Sequence, residues 1–152
     1  MIIDSHAHYN NSAYKKPFRY LSYDKNGYSL KEDELPQLMQ EMEAANILYF
    51  IEPGVSLQSC KEVLQLCSEY PGRIFPAIGV HPTRSIFEKW SDRHKLAIYA
   101  NTPGVIAIGE IGLDYHYKRE EQHRNFSTIM LFTLDSISDI VVCILVSLCA
   151  QK

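Results

Sequence analysis

The chain has 152 residues, of which 46% are hydrophobic and 22% are charged, and its formal net charge is −3. This length and composition are those of one globular domain with a sizeable core, and the negative net charge argues against a general nucleic-acid binder, which is usually basic. The cysteines form no C-x-x-C pair, which favours free thiols in a reducing compartment; they are Cys60, Cys67, Cys143 and Cys149.

The chain begins with a short apolar stretch, Met1–Ser5, that we interpret as a first strand, and two histidines follow it directly. In an extended chain the side chains of residues i and i+2 lie on the same side. The imidazoles of His6 and His8 are therefore expected to point at one place beyond the end of the strand. Imidazole is a common neutral ligand of zinc and similar ions, although an isolated His-x-His also fits two surface histidines in a turn.

The residues that follow alternate between predicted strands and predicted helices. Tyr9–Ser29 is rich in tyrosine and polar residues, and we predict a loop there. An amphipathic helix is predicted from Leu35 to Ala45, with Ser29 and Glu32 resembling its capping box. Further strands are predicted at Ile47–Ile51, Ile74–Val80, Val105–Gly109 and Ile140–Leu148, with helices at Leu57–Ser68, Trp90–Ala100 and Glu120–Leu134.

Unbroken apolar strands that alternate with helices are typical of parallel strands buried on both faces. We therefore predict an α/β fold with a parallel sheet, as one domain over residues 1–152. The apolar tail Ile140–Ala150 is shorter than the ~20 residues that a helix needs to cross a bilayer, so we interpret it as buried. No signal peptide is recognisable at the start, and we expect a cytoplasmic protein without membrane contacts.

A side chain that can bind a metal ion or a proton follows each of the first four predicted strands of this sheet. These side chains are His6 and His8, Glu52, His81 and Glu110. Parallel α/β sheets place their sites at the carboxyl ends of their strands. Two histidines with a carboxylate form a ligand set for zinc, manganese or magnesium, and a carboxylate can bridge two ions.

Each of these residues also has a plainer interpretation. For Glu52 we favour a solvated strand end. His81 precedes Pro82 and either belongs to the site or shapes the turn. Asp4 either orients a ligand histidine or caps a turn. Glu110 lies in a glycine-flanked apolar segment where an unpaired carboxylate is costly, which favours the metal role for this residue.

Three segments together resemble a known family. Asp4-Ser5-His6-Ala7-His8, Gly79-Val80-His81-Pro82 and Ala107-Ile108-Gly109-Glu110-Ile111-Gly112-Leu113-Asp114-Tyr115 are similar to signature motifs of the TatD family of metal-dependent deoxyribonucleases. The first motif also occurs in the wider amidohydrolase superfamily. The resemblance covers residues 1–126, and residues 127–152 diverge from the family.

The resemblance implies a (β/α)₈ TIM-barrel fold and a hydrolase that cleaves phosphodiester bonds in DNA. By position, His6 and His8 would bind one metal ion, and Glu110 would be the catalytic carboxylate that bridges to a second. His81 would bind substrate. The cofactors implied are two divalent ions (Mg, Mn or Zn), and the partner implied is DNA.

The sequence also departs from the family. Members continue with a strand ending in a ligand histidine, a further histidine and a late aspartate, whereas no histidine follows His123 here. We therefore expect a barrel truncated to about five β/α units, a second metal without its usual histidines, and self-association through an open sheet edge. Two alternatives stay open: a catalytically incomplete remnant of such an enzyme, and an amidohydrolase-type enzyme acting on a small molecule.

Overall fold

The structure is a computed structural model that describes residues 1–85, 87–114 and 142–148. In chain order the elements are β1 (Ile2–Asp4), a 3₁₀ turn (Ser12–Tyr14), β2 (Phe18–Asp24), β3 (Gly27–Asp33), α1 (Leu35–Ala44), β4 (Ile47–Pro53), α2 (Leu57–Glu69), β5 (Ile74–Ile78), the one-turn α3 (Pro82–Ser85), a second 3₁₀ turn (Trp90–Asp92), α4 (Arg93–Ala100), β6 (Ala107–Asp114) and β7 (Val142–Leu148).

Five of the strands form one parallel sheet in the order β1-β4-β5-β6-β7. Helical segments connect β4 to β5 and β5 to β6, and α1 precedes β4. The predicted parallel sheet with helical crossovers is confirmed. The predicted last strand is present as β7, parallel to β6, whereas the predicted helix Glu120–Leu134 lies outside the described residues. Self-association through a sheet edge stays a prediction.

The core of the described residues consists of two groups of buried side chains. In the first group, Phe50 of β4 and Ile74 of β5 pack with Leu35 and Met39 of α1 and with Leu66 of α2. The second group joins α2, β5, α4 and β6 through Cys60, Ile78, Val80, Leu96, Ala100, Ile108 and Ile111. Both groups follow from strands whose residues are apolar throughout. None of the described helices is long and apolar enough to span a membrane.

The starts of the first two helices differ from each other in their capping. At the start of α2, the Ser56 hydroxyl accepts the Ser59 amide hydrogen and the Ser59 hydroxyl accepts the Ser56 amide hydrogen, a reciprocal capping box. The capping box predicted at Ser29 and Glu32 for α1 is wrong, because both residues lie in β3. Helix α1 begins only at Leu35 and has no side-chain cap.

The predicted loop Tyr9–Ser29 is also wrong in its second half, where β2 and β3 form an antiparallel hairpin. Its two-residue turn leads into Gly27, whose φ of +106° suits a residue without a Cβ. The hairpin is fastened to α1, because Glu41 accepts hydrogen bonds from Ser22 and Lys31. Phe18 at its base packs against the first core group. The pair Asn26-Gly27 in the sequence is typical of hairpin turns and could have predicted this hairpin.

One carboxylate lies inside this core. Glu52, near the end of β4, has no exposed surface, so the interpretation as a solvated strand end is wrong. Its two oxygens accept the backbone amide hydrogens of Tyr9 and Asn10, at 3.0 and 2.9 Å. Burial raises the pKa of Glu52 to about 7, against the lowering effect of the two amide hydrogen bonds.

This burial predicts a pH dependence of stability. The folded-state pKa of Glu52 is raised above its usual value of 4.5, so folding favours the protonated form. The contribution of Glu52 is therefore largest below about pH 4.5 and declines as the pH rises to about 7. Relative to Glu52→Gln, the wild-type free energy of unfolding should fall by on the order of 3 kcal/mol across this range.

Urea denaturation of both proteins at several pH values between about 4 and 8 measures this difference, and the other titrating groups cancel in the comparison. Wild-type and Glu52→Gln profiles that run parallel across the window would contradict the raised pKa.

Candidate metal centre

The two histidines that follow β1 converge on one place. The Nε2 atoms of His6 and His8 are 3.1 Å apart, and the rings meet edge to face with centroids 4.9 Å apart. Between them, Ala7 is buried and its amide donates to the Ile51 carbonyl at 2.9 Å. Alternation along an extended chain then leaves both imidazoles on the side away from Ala7.

Glu110 of β6 supplies a carboxylate at the same place. Its Oε1 is 3.8 Å from His6 Nε2, and its Oε2 is 3.8 Å from His8 Nε2. The residue is only 7% exposed. The backbone position of Glu110 is fixed by its amide, which donates to the Gly54 carbonyl at 2.9 Å. A buried carboxylate beside two imidazole nitrogens is well suited to a cation.

The three side chains have the spacing of a metal ligand set. One donor atom from each of His6, His8 and Glu110 lies within 4.8 Å of the other two. Bonds of about 2.0–2.1 Å to a common ion, at about 90–110° to one another, place donor atoms roughly 2.8–3.4 Å apart. The two imidazole nitrogens already have this separation. Each carboxylate oxygen is 3.8 Å from one of these nitrogens, about 0.4–1.0 Å more than this separation, so the group fits a divalent ion after a small shift of the carboxylate.

The electrostatic setting favours the neutral form of His8. Partial burial lowers the pKa of His8, and the neighbouring His6 and His81 lower it further, while the Glu110 carboxylate opposes this shift. A neutral imidazole has a free nitrogen lone pair, which is the form that binds metal ions.

His81 reaches the edge of the same group. Its Nε2 is 3.9 Å from Glu110 Oε1. Its Nδ1 accepts the Thr83 amide hydrogen at 3.2 Å and contacts the Thr83 hydroxyl at 2.8 Å. Because Nδ1 acts as an acceptor, a neutral His81 carries its proton on Nε2, facing the Glu110 side. His81 therefore lies beside the group formed by His6, His8 and Glu110, and its role toward substrate stays a prediction.

Two glycines near the site allow close approaches between neighbouring elements. A Cβ on Gly79 would lie 2.5 Å from the Gly109 carbonyl carbon and 2.7 Å from the Glu110 nitrogen. A Cβ on Gly54 would lie 2.4 Å from the Cys60 sulfur. Neither position has room for a side chain. Glycine at position 79 lets the end of β5 approach the backbone of β6, and glycine at position 54 leaves room for Cys60 of α2.

The remaining candidate residues lie outside the ligand group. The Asp4 carboxylate accepts the His6 amide hydrogen at 3.1 Å, so the turn-capping interpretation fits better than the orientation of an imidazole. Glu52 uses both oxygens on backbone amides. The contact from Thr83 to His81 was not predicted. The two residues are close in sequence, but no other feature of the sequence indicated the contact.

A cavity of about 510 Å³ lies next to this region rather than in it. Its walls include Tyr9 and Asn10 and residues of α1 and α2, but none of His6, His8, His81 or Glu110. Lysines and glutamates are mixed in its lining, so its charge gives no preference for a polyanion.

The fold is similar to that of a solved structure. A solved structure of a TatD family hydrolase from Entamoeba histolytica superposes with a TM-score of 0.69 at 23% identity, covering 88% of this chain and 46% of that one. This likeness confirms the TIM-barrel type of fold. The parallel sheet described above corresponds to part of that chain.

Curated relatives match over a shorter range. A protein named 3'-5' ssDNA/RNA exonuclease TatD from Yersinia pseudotuberculosis is 33% identical over 94 residues, and one of the same name from Salmonella typhimurium is 37% identical over 87 residues. These matches cover 60% and 56% of this chain. The chain spans about a third of the length of these relatives, at 33% and 30%.

The family comparison covers most of the chain. The family described as TatD related DNase matches residues 3–136. This range includes His6 and His8, Gly79–Pro82 and Glu110. The chain therefore belongs to the TatD-related DNase family.

Proposed function

We propose that this chain carries a divalent-metal site of a nuclease-type hydrolase that cleaves phosphodiester bonds in DNA. The observation that carries the proposal is the convergence of two imidazole nitrogens, from the segment after β1, with one buried carboxylate from within β6. Membership of the family and the names of the Yersinia and Salmonella relatives, which act on single-stranded DNA and RNA, support this chemistry.

In this proposal His6 and His8 supply neutral donors and Glu110 supplies the negative charge of the ligand set. A divalent ion held there supplies Lewis acidity toward a phosphoryl oxygen and lowers the pKa of water. Burial of Glu110 strengthens its attraction to the cation, because little water screens the charge. The second ion that the resemblance implies stays a prediction.

His81 has a separate role in the proposal. Its Nε2 carries a proton and lies near the ligand group without belonging to it. An N–H in this position can donate a hydrogen bond to a non-bridging phosphate oxygen and so orient the substrate. The net charge of −3 gives no general attraction for DNA, so the metal and His81 carry the recognition of phosphate.

The metal site is tested by replacing its carboxylate. Glu110→Ala should weaken Mn²⁺ affinity by at least about 100-fold, which is more than the 10–100-fold typical of an outer-shell partner. Titration calorimetry on the 152-residue chain measures this change. Glu43→Ala, an exposed carboxylate paired with Arg73, is the control and should bind as wild type. Equal Mn²⁺ affinities for Glu110→Ala and wild type would contradict the ligand assignment.

The reaction itself is tested with end-labelled single-stranded DNA and Mn²⁺. We expect slow cleavage that stops with chelator and in Glu110→Ala. A chain that binds Mn²⁺ but cleaves no DNA would overturn the nuclease proposal for this polypeptide and favour the catalytically incomplete remnant. Turnover of small amides or lactones without DNA cleavage would favour the small-molecule hydrolase instead.

If His81 orients the substrate and does not bind the metal, its removal should weaken oligonucleotide binding without weakening Mn²⁺ binding. His81→Ala should leave Mn²⁺ affinity within a few-fold of wild type. It should weaken binding of a fluorescent single-stranded oligonucleotide in the presence of Mn²⁺ by about 10-fold, the value of one hydrogen bond to a charged group. Fluorescence anisotropy measures the oligonucleotide affinity at fixed salt.

The control for His81 is the exposed His94, whose Nδ1 contacts the Ser91 carbonyl. His94→Ala should change neither affinity. A loss of Mn²⁺ affinity in His81→Ala as large as that in Glu110→Ala would show instead that His81 is a metal ligand.

A further inference from the structure

The end of β4 and the loop after it contact all the strands that carry the site. The Ile51 carbonyl accepts the Ala7 amide hydrogen at 2.9 Å, and the Gly54 carbonyl accepts that of Glu110 at 2.9 Å. The Val55 carbonyl accepts the His81 amide hydrogen at 3.0 Å. These three bonds use only backbone atoms, so they fix the strand ends relative to β4 whatever the side chains are.

Glu52 adds a side-chain contact from the same segment. It is fully buried, and its carboxylate accepts the amide hydrogens of Tyr9 and Asn10, at 3.0 and 2.9 Å. These are the two amides that directly follow His8. Because both oxygens are engaged with backbone, Glu52 is not free to bind a metal ion, and it does not belong to the group formed by His6, His8 and Glu110.

The chain on both sides of the histidines is fixed as well. Before them, the Asp4 carboxylate accepts the His6 amide hydrogen at 3.1 Å. After them, the Tyr9 ring packs edge-on against Phe50 and Tyr14, at centroid distances of 5.7 and 5.3 Å. Within this frame, Glu52 accepts the amide hydrogens of the two residues that directly follow His8.

We propose that Glu52 is a positioning residue for the metal site, which holds the backbone after His8 so that the His8 imidazole meets His6 and Glu110. This inference rests on the proposed metal site and names a residue outside the ligand set. The two hydrogen bonds of Glu52 to the loop after His8 give it this geometric role.

The test uses Glu52→Gln, which keeps the size of the side chain. Its amide oxygen can accept one of the two amide hydrogens, while its NH₂ group faces the other N–H as a second donor. We expect Mn²⁺ affinity to fall by about 10–100-fold, as for other groups that orient a ligand. In the metal-free chain, hydrogen exchange of the Tyr9 and Asn10 amides should become faster.

Glu88→Gln is the matched control. The Glu88 carboxylate also accepts a backbone amide hydrogen, from Leu57 at 3.0 Å, but at the start of α2 and away from the histidines. This variant should keep wild-type Mn²⁺ affinity and wild-type exchange at Tyr9 and Asn10. Equal losses of Mn²⁺ affinity in both variants would show a general effect of losing a carboxylate and would overturn the proposal.

A second variant covers the case in which Glu52→Gln does not fold. Glu52→Asp keeps the charge but withdraws the carboxylate by about 1.5 Å, the length of one carbon–carbon bond. It should show faster exchange and a smaller loss of Mn²⁺ affinity. A folded Glu52 variant with faster exchange at Tyr9 and Asn10 but wild-type Mn²⁺ affinity would overturn the positioning role.

Failure of the proposed function gives a different result. A wild-type chain that binds no Mn²⁺ would overturn the metal site itself, and with it the role of Glu52 toward that site. The exchange measurement on the metal-free chain would then still report whether Glu52 holds the loop after His8.

Discussion

The buried carboxylate of Glu110 is the group on which the rest of the site depends. Two imidazole nitrogens 3.1 Å apart provide a pair of neutral donors, and the third donor, with the negative charge, comes from a strand about a hundred residues away. Its position is set by one hydrogen bond to Gly54 and by the absence of a side chain at Gly79. Small changes in the approach of β5 to β6 would therefore move the carboxylate relative to the histidines.

The parallel sheet explains why such distant residues meet. In this arrangement every carboxyl end lies at the same edge, so each strand can contribute one side chain to a common site. The end of β4 and the loop after it connect these strands, because their carbonyls accept the amide hydrogens of Ala7, His81 and Glu110. The candidate ligands thus come from the segment after β1 and from β6, while β4 fixes their relative positions.

The sequence was sufficient for the parts that depend on local pattern. Apolar strands alternating with helices predicted the parallel sheet. The grouping of His6, His8 and Glu110 was predicted from strand ends, although β6 continues past Glu110 to Asp114. The burial of Glu52 was not predictable in this way, because its partners are amides of Tyr9 and Asn10, 43 and 42 residues earlier.

The hairpin of β2 and β3 was missed for a different reason. Its residues are polar and aromatic, and two of them, Leu21 and Leu30, are exposed apolar side chains opposite each other. Such a segment lacks the clean alternation of a half-buried strand. Its attachment to α1 through Glu41 involves side chains from separate elements, and no local pattern reports contacts of this kind.

X-ray absorption at the zinc edge of the zinc-loaded chain tests the central claim most directly. The account predicts two imidazole ligands at about 2.0–2.1 Å with carboxylate or water oxygens completing the shell, and no sulfur shell at about 2.3 Å. A sulfur shell from cysteine, or a spectrum without imidazole scattering, would contradict the site formed by His6, His8 and Glu110.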